Sequence, residues 1–215
     1  KKIDFDALEK RIEEIRNNVP EDLFELQYRE IILEKIPPLI QQAKIMSQKY
    51  DVVCTNPPYM GSRSMGTKLK RMLKNKFKNS QFDLFSVFID RNYNYCKENK
   101  YLSMITIESW MFLSKLENFR EELIKNKTII NLVHMPYDGK GRTSLGISFG
   151  TSAFILRNVR VPKYNAIYCY IRYFEIDEKG VPFKFPTVNE RYGSAKQENF
   201  LLIPSNPIAY WISEK

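Results

Sequence analysis

The sequence of 215 residues has a single histidine, three cysteines and no long apolar run. None of its apolar stretches approaches the roughly 20 residues that a membrane-spanning helix requires, and its first residues lack the hydrophobic core of a secretion signal. Cys54, Cys96 and Cys169 lie far apart, and an odd number without C-x-x-C spacing argues against a disulfide framework and a zinc site. We therefore expect a cytoplasmic protein with reduced thiols, no metal and no membrane partner.

Acidic residues are outnumbered by basic ones. The chain has 34 Lys and Arg against 25 Asp and Glu, a formal net charge of +9 and a pI near 9.3. Such an excess favours a polyanionic partner such as nucleic acid, because each neutralised phosphate releases condensed counterions. Lysine-rich, solvated helix faces explain the same composition without a partner, so charge alone leaves both interpretations open.

Three regions of the chain differ in pattern. Residues 1–48 have helical periodicity and are predicted to form a helical insertion or lead-in, in which Pro37-Pro38 ends the second of three helices. Residues 49–175 alternate short β-rich runs with amphipathic segments and are predicted to form an α/β domain. Residues 176–215 contain repeated prolines and are predicted to be irregular.

The central region predicts a mostly parallel sheet. Its short apolar runs alternate with two amphipathic helices, one from Ser80 to about Lys97 and one beginning at a Ser114–Glu117 capping box. The order strand, helix, strand, helix, strand is typical of parallel α/β folds. The first run is apolar enough to be buried on both faces. The predicted strands are 50–55, 101–107, 128–133 and 151–156, with a possible fifth in 164–174.

Asn56-Pro57-Pro58-Tyr59 directly follows the first predicted strand, where ligands bind in open parallel sheets. An exocyclic amine such as adenine N6 is a poor nucleophile because its lone pair is delocalised into the ring. The Asn56 side-chain oxygen and a carbonyl at Pro57 would accept its two hydrogens, and two prolines would hold these acceptors rigidly. Tyr59 would stack on the base. A proline-stiffened turn with a core tyrosine is the alternative.

The run from Lys49 to Gly61 resembles the catalytic motif of the γ-class adenine-N6 DNA methyltransferases, and more narrowly that of the PglX-like methyltransferases of BREX phage-defence systems. The resemblance implies half of a Rossmann-like class I methyltransferase sheet, with the strand near Thr151 antiparallel. It also implies methyl transfer from S-adenosylmethionine to adenine in double-stranded DNA, alongside other defence-system subunits. Further matching stretches are 82–85, 104–106, 109–113, 151–158 and 203–211.

The resemblance also assigns roles to individual residues. The helix predicted from Ser80 matches the family segment that flanks the cofactor's adenine, which nominates Asp83, Leu84 and Phe88 for cofactor binding. Plain core packing is the alternative for the two apolar residues. In related enzymes an aromatic residue shortly after the third of these strands packs against the flipped adenine. Tyr137 occupies that place here, with Phe149 as the second choice.

A basic segment follows the Asn-Pro-Pro-Tyr motif. It is predicted to bind phosphates beside a flipped base, although a solvated helix face is the alternative explanation. The residues predicted to contact the DNA backbone are Lys68, Lys70, Arg71 and Lys74.

Two polar residues at strand ends have no clear chemical partner in the sequence. His134 has no Ser or Cys at a spacing that would pair with it, so we expect a structural role. Glu108 could face the pocket or could simply favour the start of a helix.

The family's glycine-rich cofactor loop has no match after a strand at the start of the sequence, since the glycines lie between Gly61 and Gly193. We therefore expect a partial catalytic domain that lacks the main S-adenosylmethionine motif and is inactive by itself, with the outer edge of the first strand unpaired. Methylation of protein glutamine or of RNA, a non-catalytic nucleic-acid-binding module and a structural subunit remain alternatives.

Overall fold

The computed structural model describes residues 3–135 and 149–212. The chain forms two compact units, residues 1–49 and residues 50–215. Within the described ranges, no helix is both long and apolar enough to span a bilayer.

The first unit consists of two helices, α1 (Phe5–Asn17) and α2 (Leu23–Ser47). Each follows an aspartate, Asp4 or Asp22, whose carboxylate accepts a hydrogen bond from a first-turn N–H. This is the usual way in which an N-cap satisfies a free helix donor.

The predicted helix break at Pro37-Pro38 is wrong, because α2 continues through both prolines. Each proline removes one intrahelical hydrogen bond. The carbonyl groups that lose their partners belong to Leu33, which is half-buried, and Glu34, which is exposed, so water can reach them. The loss of two donors is therefore tolerated on this open helix surface.

The second unit is a six-stranded mixed sheet in the order β1-β2-β4-β3-β5-β6. Four strands (β1, β2, β3, β5) run parallel, whereas β4 is antiparallel to β2 and β3, and β6 is antiparallel to β5. The strands are β1 Tyr50–Thr55, β2 Cys96–Ile107, β3 Thr128–Met135, β4 Thr151–Arg157, β5 Asn165–Tyr170 and β6 Gly193–Lys196. The helices are α3 Thr67–Lys76, α4 Leu84–Tyr93 and α5 Glu117–Asn126.

The predicted α/β architecture is confirmed, including the antiparallel strand that begins at Thr151. A second antiparallel strand, β6, was not predicted, because Gly193–Lys196 lies in the segment expected to be irregular. Its partner β5 confirms the possible fifth strand. The predicted domain boundaries stay predictions.

β1 is the outermost described strand and pairs only with β2. The expectation that it is buried on both faces is wrong, since Asp51, Val52 and Cys54 are exposed. β1 stands at one end of the described strand order, and the unpaired outer edge stays a prediction. An apolar strand with one neighbour and little cover is unusual, because exposed strand edges favour further pairing.

Two predicted helix starts differ from the structure. α4 begins at Leu84 with Asp83 as its N-cap, while the Ser80 hydroxyl donates to Asp90 instead. The predicted capping box at Ser114 is also wrong, because a 3₁₀ turn occupies Ser114–Leu116 and α5 starts only afterwards.

The carboxyl ends of the four parallel strands share one edge of the sheet, which we call the carboxyl edge. The register places Thr55 of β1 beside Met104 of β2, and Ile107 of β2 beside Thr151 of β4. His134 near the end of β3 pairs with Tyr170 of β5. Residues that follow β1, β2 and β3 are therefore brought to the same side of the molecule, where parallel sheets bind ligands.

Candidate active site

Asn56 follows β1 at the carboxyl edge and is exposed. The loop after it is held by backbone hydrogen bonds to the start of α4. The Leu84 N–H donates to the Met60 carbonyl at 3.0 Å, and the Ser62 N–H donates to the Phe82 carbonyl at 3.0 Å. The position of Asn56 therefore depends on α4 as well as on β1.

Asp83 strengthens the same connection. Its carboxylate accepts hydrogen bonds from the Met60 N–H at 3.2 Å and from the Phe85 N–H at 3.4 Å. Burial raises the pKa of this carboxyl group despite the two donors. Asp83 was predicted to bind cofactor, and the structure places its carboxylate between α4 and the loop that follows Asn56.

The Tyr59 hydroxyl lies 3.2 Å from the Asn56 side-chain oxygen and 3.4 Å from the Ile105 carbonyl. The ring is partly buried against the main core, and burial raises the pKa of the phenol. An amide oxygen has two lone pairs, so that of Asn56 can accept from Tyr59 and from a second donor together. Pro57 is buried and Pro58 is exposed, so one proline anchors the loop and the other faces solvent.

Leu84 and Phe88 are both half-buried on α4. Leu84 packs against a small cluster formed by Met65, Leu73 and Val87, whereas Phe88 packs against the main core. Each leaves part of its apolar surface uncovered, so cofactor binding and core packing are both compatible with their positions.

The four basic residues predicted to contact DNA all lie on α3 and are exposed. Two of them line a common hollow. Lys70 and Lys74, four residues apart and hence on one helix face, line a hollow together with Arg63. Lys68 and Arg71 lie outside that hollow. The other residues that line it are Ser62, Gln81 and Phe82.

Tyr137, predicted to stack on the target base, lies outside the described residues. Phe149, the second choice, is described and is 56% exposed immediately before β4. The pairing of Thr151 with Ile107 puts Phe149 at the carboxyl edge.

One buried polar cluster at this edge was not predicted. His134 lies between the Glu108 carboxylate and the Tyr210 hydroxyl. These residues are separated by 26 and 76 positions in the sequence, so spacing cannot reveal them. The detectable signal was that Glu108 and His134 both fall at the ends of strands predicted to be parallel.

The chain is similar in sequence to known adenine-specific methyltransferases. The chain is 35% identical to the adenine-specific methyltransferase BrxX of Escherichia coli O9:H4 (strain HS) over 189 residues, which is 87% of this chain and 15% of that protein. It is 34% identical to the adenine-specific methyltransferase PglX of Lacticaseibacillus casei (strain Zhang) over 182 residues, 82% of this chain and 15% of that protein. The chain thus spans 15% of the length of these curated relatives.

A solved structure gives the same fold. The type I restriction-modification methyltransferase subunit of Streptococcus thermophilus aligns with a TM-score of 0.54 and 14% identity, over 78% of this chain and 39% of that chain. A protein-family comparison matches residues 1–140 to the Eco57I restriction-modification methylases. The chain belongs to the Eco57I restriction-modification methylase family.

Proposed function

We propose that this chain is a catalytic segment of an S-adenosylmethionine-dependent DNA methyltransferase that modifies adenine N6 in a BREX-type or restriction-modification defence system. The observation that carries the proposal is Asn56-Pro57-Pro58-Tyr59, held at the carboxyl edge by β1 and α4, in a chain 35% identical to an adenine-specific methyltransferase.

Catalysis rests on hydrogen-bond acceptors aimed at the reacting amine. One lone pair of the Asn56 oxygen accepts from the Tyr59 hydroxyl at 3.2 Å, which leaves the other for an adenine N6 hydrogen. The Pro57 carbonyl accepts the second hydrogen. Together they draw electron density onto N6 and direct its lone pair at the methyl donor, so positioning supplies most of the acceleration.

Tyr59 therefore acts on Asn56 as well as on the base. Its hydroxyl fixes the orientation of the Asn56 amide, and its partly buried ring remains the proposed stacking surface for the adenine. This arrangement needs the base to be extruded from the duplex, because N6 of a paired adenine cannot reach the loop.

S-adenosylmethionine supplies the methyl group when it is bound. Leu84 and Phe88 present partly exposed apolar surface on α4 that suits one face of the cofactor's adenine. Asp83 fits this role less well, since its carboxylate already accepts two backbone hydrogen bonds. Its proposed contribution is to hold the catalytic loop against α4.

The proposed partner is double-stranded DNA, with other subunits of the defence system as further partners. The residues proposed to face the phosphates are Lys70 and Lys74 of α3 and the nearby Arg63, which are exposed and line one hollow. Within residues 3–135 and 149–212, no ion pair engages Arg63, Lys70 or Lys74. Their charges are therefore free for a backbone phosphate in the hollow that they line.

The hollow allows a charge-matched test. In the full-length protein, K70Q/K74Q is expected to reduce the slope of log K against log salt by about 2, because each lost phosphate contact contributes about 0.9. K68Q/R71Q removes the same charge outside the hollow and is expected to change the slope by less than about half as much. Fluorescence anisotropy with a labelled duplex at several salt concentrations measures the slope for each double variant. Equal effects of the two pairs would contradict a localised phosphate site.

The reaction itself is tested with the full-length protein, unmethylated genomic DNA and tritium-labelled S-adenosylmethionine, followed by nucleoside analysis. Label in N6-methyladenine is the expected result. Label found instead in protein or RNA supplied under the same conditions would overturn the proposal.

A further inference from the structure

His134 is the only histidine of the chain and is 3% exposed at the end of β3. Its Nε2 meets the Glu108 carboxylate, and its Nδ1 lies 3.0 Å from the Tyr210 hydroxyl. A carboxylate only accepts hydrogen bonds, so Nε2 carries the hydrogen. In the neutral ring, Nδ1 then accepts from Tyr210, which gives a continuous chain from Tyr210 through His134 to Glu108.

Aromatic rings keep this imidazole in place. The ring centroids of Tyr170, Phe112, Tyr210 and Trp211 lie 5.4, 5.9, 6.1 and 6.5 Å from that of His134. Tyr210 is itself stacked on a buried tyrosine of β5 with centroids 4.6 Å apart. With both nitrogens bonded and the ring enclosed, His134 holds the Glu108 carboxylate in one position.

The Glu108 carboxylate in turn lies directly against Gly150. The Glu108 N–H donates to the Gly150 carbonyl at 2.8 Å. A Cβ at position 150 would lie 2.2 to 2.5 Å from the Glu108 carboxylate atoms, so any larger residue there would displace the Glu108 side chain. Glycine at position 150 therefore permits this close approach of the Glu108 carboxylate, and the residue before it is the exposed Phe149.

We propose that Glu108, His134 and Tyr210 are positioning residues that hold Gly150, and with it Phe149, so that the exposed ring of Phe149 packs against the extruded adenine. The inference rests on the proposed function. Burying polar groups costs desolvation free energy that apolar residues in the same core would not. This hydrogen-bonded chain ends at the Glu108 side chain, which is 24% exposed at the carboxyl edge. That placement favours a role at the substrate site over simple packing.

The test is a double-mutant cycle in the full-length protein, since coupled residues give non-additive effects. Glu108→Ala is expected to lower kcat/KM for DNA by about 10- to 100-fold, as a displaced positioning group does. Glu108→Gln keeps an acceptor oxygen for His134 and is expected to retain most activity. In a Phe149→Ala background, Glu108→Ala is expected to have little further effect. Gly150→Ala, which displaces the Glu108 carboxylate, should reproduce the loss.

A second readout follows base extrusion directly. A duplex carrying 2-aminopurine in place of the adenine that the wild type methylates should fluoresce less strongly with Glu108→Ala than with wild type. Thr128→Val is the matched control, since it removes a buried hydroxyl that bonds the Val159 carbonyl and the Val161 N–H at the opposite end of β3. It should lower the melting temperature yet leave extrusion unchanged.

Two results would overturn the inference: equal losses from Glu108→Ala with and without Phe149, or wild-type extrusion in Glu108→Ala. Neither result can be confused with failure of the proposed reaction. If the reaction is wrong, the wild-type protein itself forms no N6-methyladenine.

Discussion

Asn56→Ala is expected to reduce methyl transfer to adenine by about 100-fold or more in the full-length protein, a loss similar to that of one preorganised polar group in other active sites. The substitution removes the side-chain oxygen that accepts from N6 and leaves only the Pro57 carbonyl. Asn56 is exposed, so the folded state should lose little stability. Tritium transfer to unmethylated genomic DNA at saturating cofactor measures the effect.

Two variants make this result specific. Tyr59→Phe removes only the hydroxyl that lies 3.2 Å from the Asn56 oxygen, and a loss of about 5- to 10-fold is expected from one hydrogen bond of about 1 kcal/mol. Asn75→Ala changes another exposed asparagine, on α3, and should have no effect. Wild-type methylation by Asn56→Ala would show that the motif is not the catalytic site.

Local patterns predicted the parts of the fold in which neighbouring residues determine the structure. The runs that became β1, β3 and β4 were recognised from β-branched, apolar composition. The Asn56 motif could also be placed correctly, because the end of a parallel strand is a defined position in this type of sheet.

Other features depend on distant parts of the chain and could not be read from local pattern. β6 is short and contains Gly193, and it forms a strand because β5 offers it an unpaired edge. The two prolines in α2 would break a buried helix but are tolerated where carbonyls reach water.

The active-site neighbourhood was predictable only in part. His134 was expected to be structural because no sequence spacing gives it a partner, yet the sheet brings Glu108 and Tyr210 to its two nitrogens. The basic residues of α3 stay a predicted DNA contact, and the sequence could not show that only Lys70 and Lys74 among them line a common hollow. The partners of His134 could not be predicted from spacing because neighbours at the carboxyl edge come from different elements of the chain.

Arg120 on α5 is the residue whose loss should destabilise the fold most. Its side chain is fully buried, and burial lowers the pKa of the guanidinium, which nevertheless remains charged. It donates four hydrogen bonds, all to backbone carbonyl groups. The acceptors and distances are Asn206 at 2.9 Å, Trp110 at 3.1 Å, Leu113 at 2.6 Å and Ser205 at 2.6 Å.

Two of these carbonyls belong to strained backbone. Ser205 and Asn206 have φ values of 66° and 48°, a left-handed conformation that non-glycine residues adopt only when their surroundings stabilise it. Arg120 supplies that stabilisation. Arg120 also holds the segment that leads from Ser205 to Tyr210 beside His134. Within that segment the Ile208 N–H donates to the Met111 carbonyl at 2.9 Å.

Arg120→Met keeps the apolar stem and removes every donor, so it is expected to lower the free energy of unfolding by about 3–5 kcal/mol, because four backbone carbonyls in the interior lose their hydrogen-bond donor. Arg120→Lys should have a free energy of unfolding between those of the wild type and Arg120→Met, because one ammonium group has fewer donors than the guanidinium and no planar fork. Lys125→Met on the same helix removes an exposed ion pair with Glu121 and should cost less than about 1 kcal/mol. Urea unfolding followed by circular dichroism compares the three. If Arg120→Met and Lys125→Met unfolded at the same urea concentration, the four hydrogen bonds would not hold this segment, and Tyr210 would need another anchor.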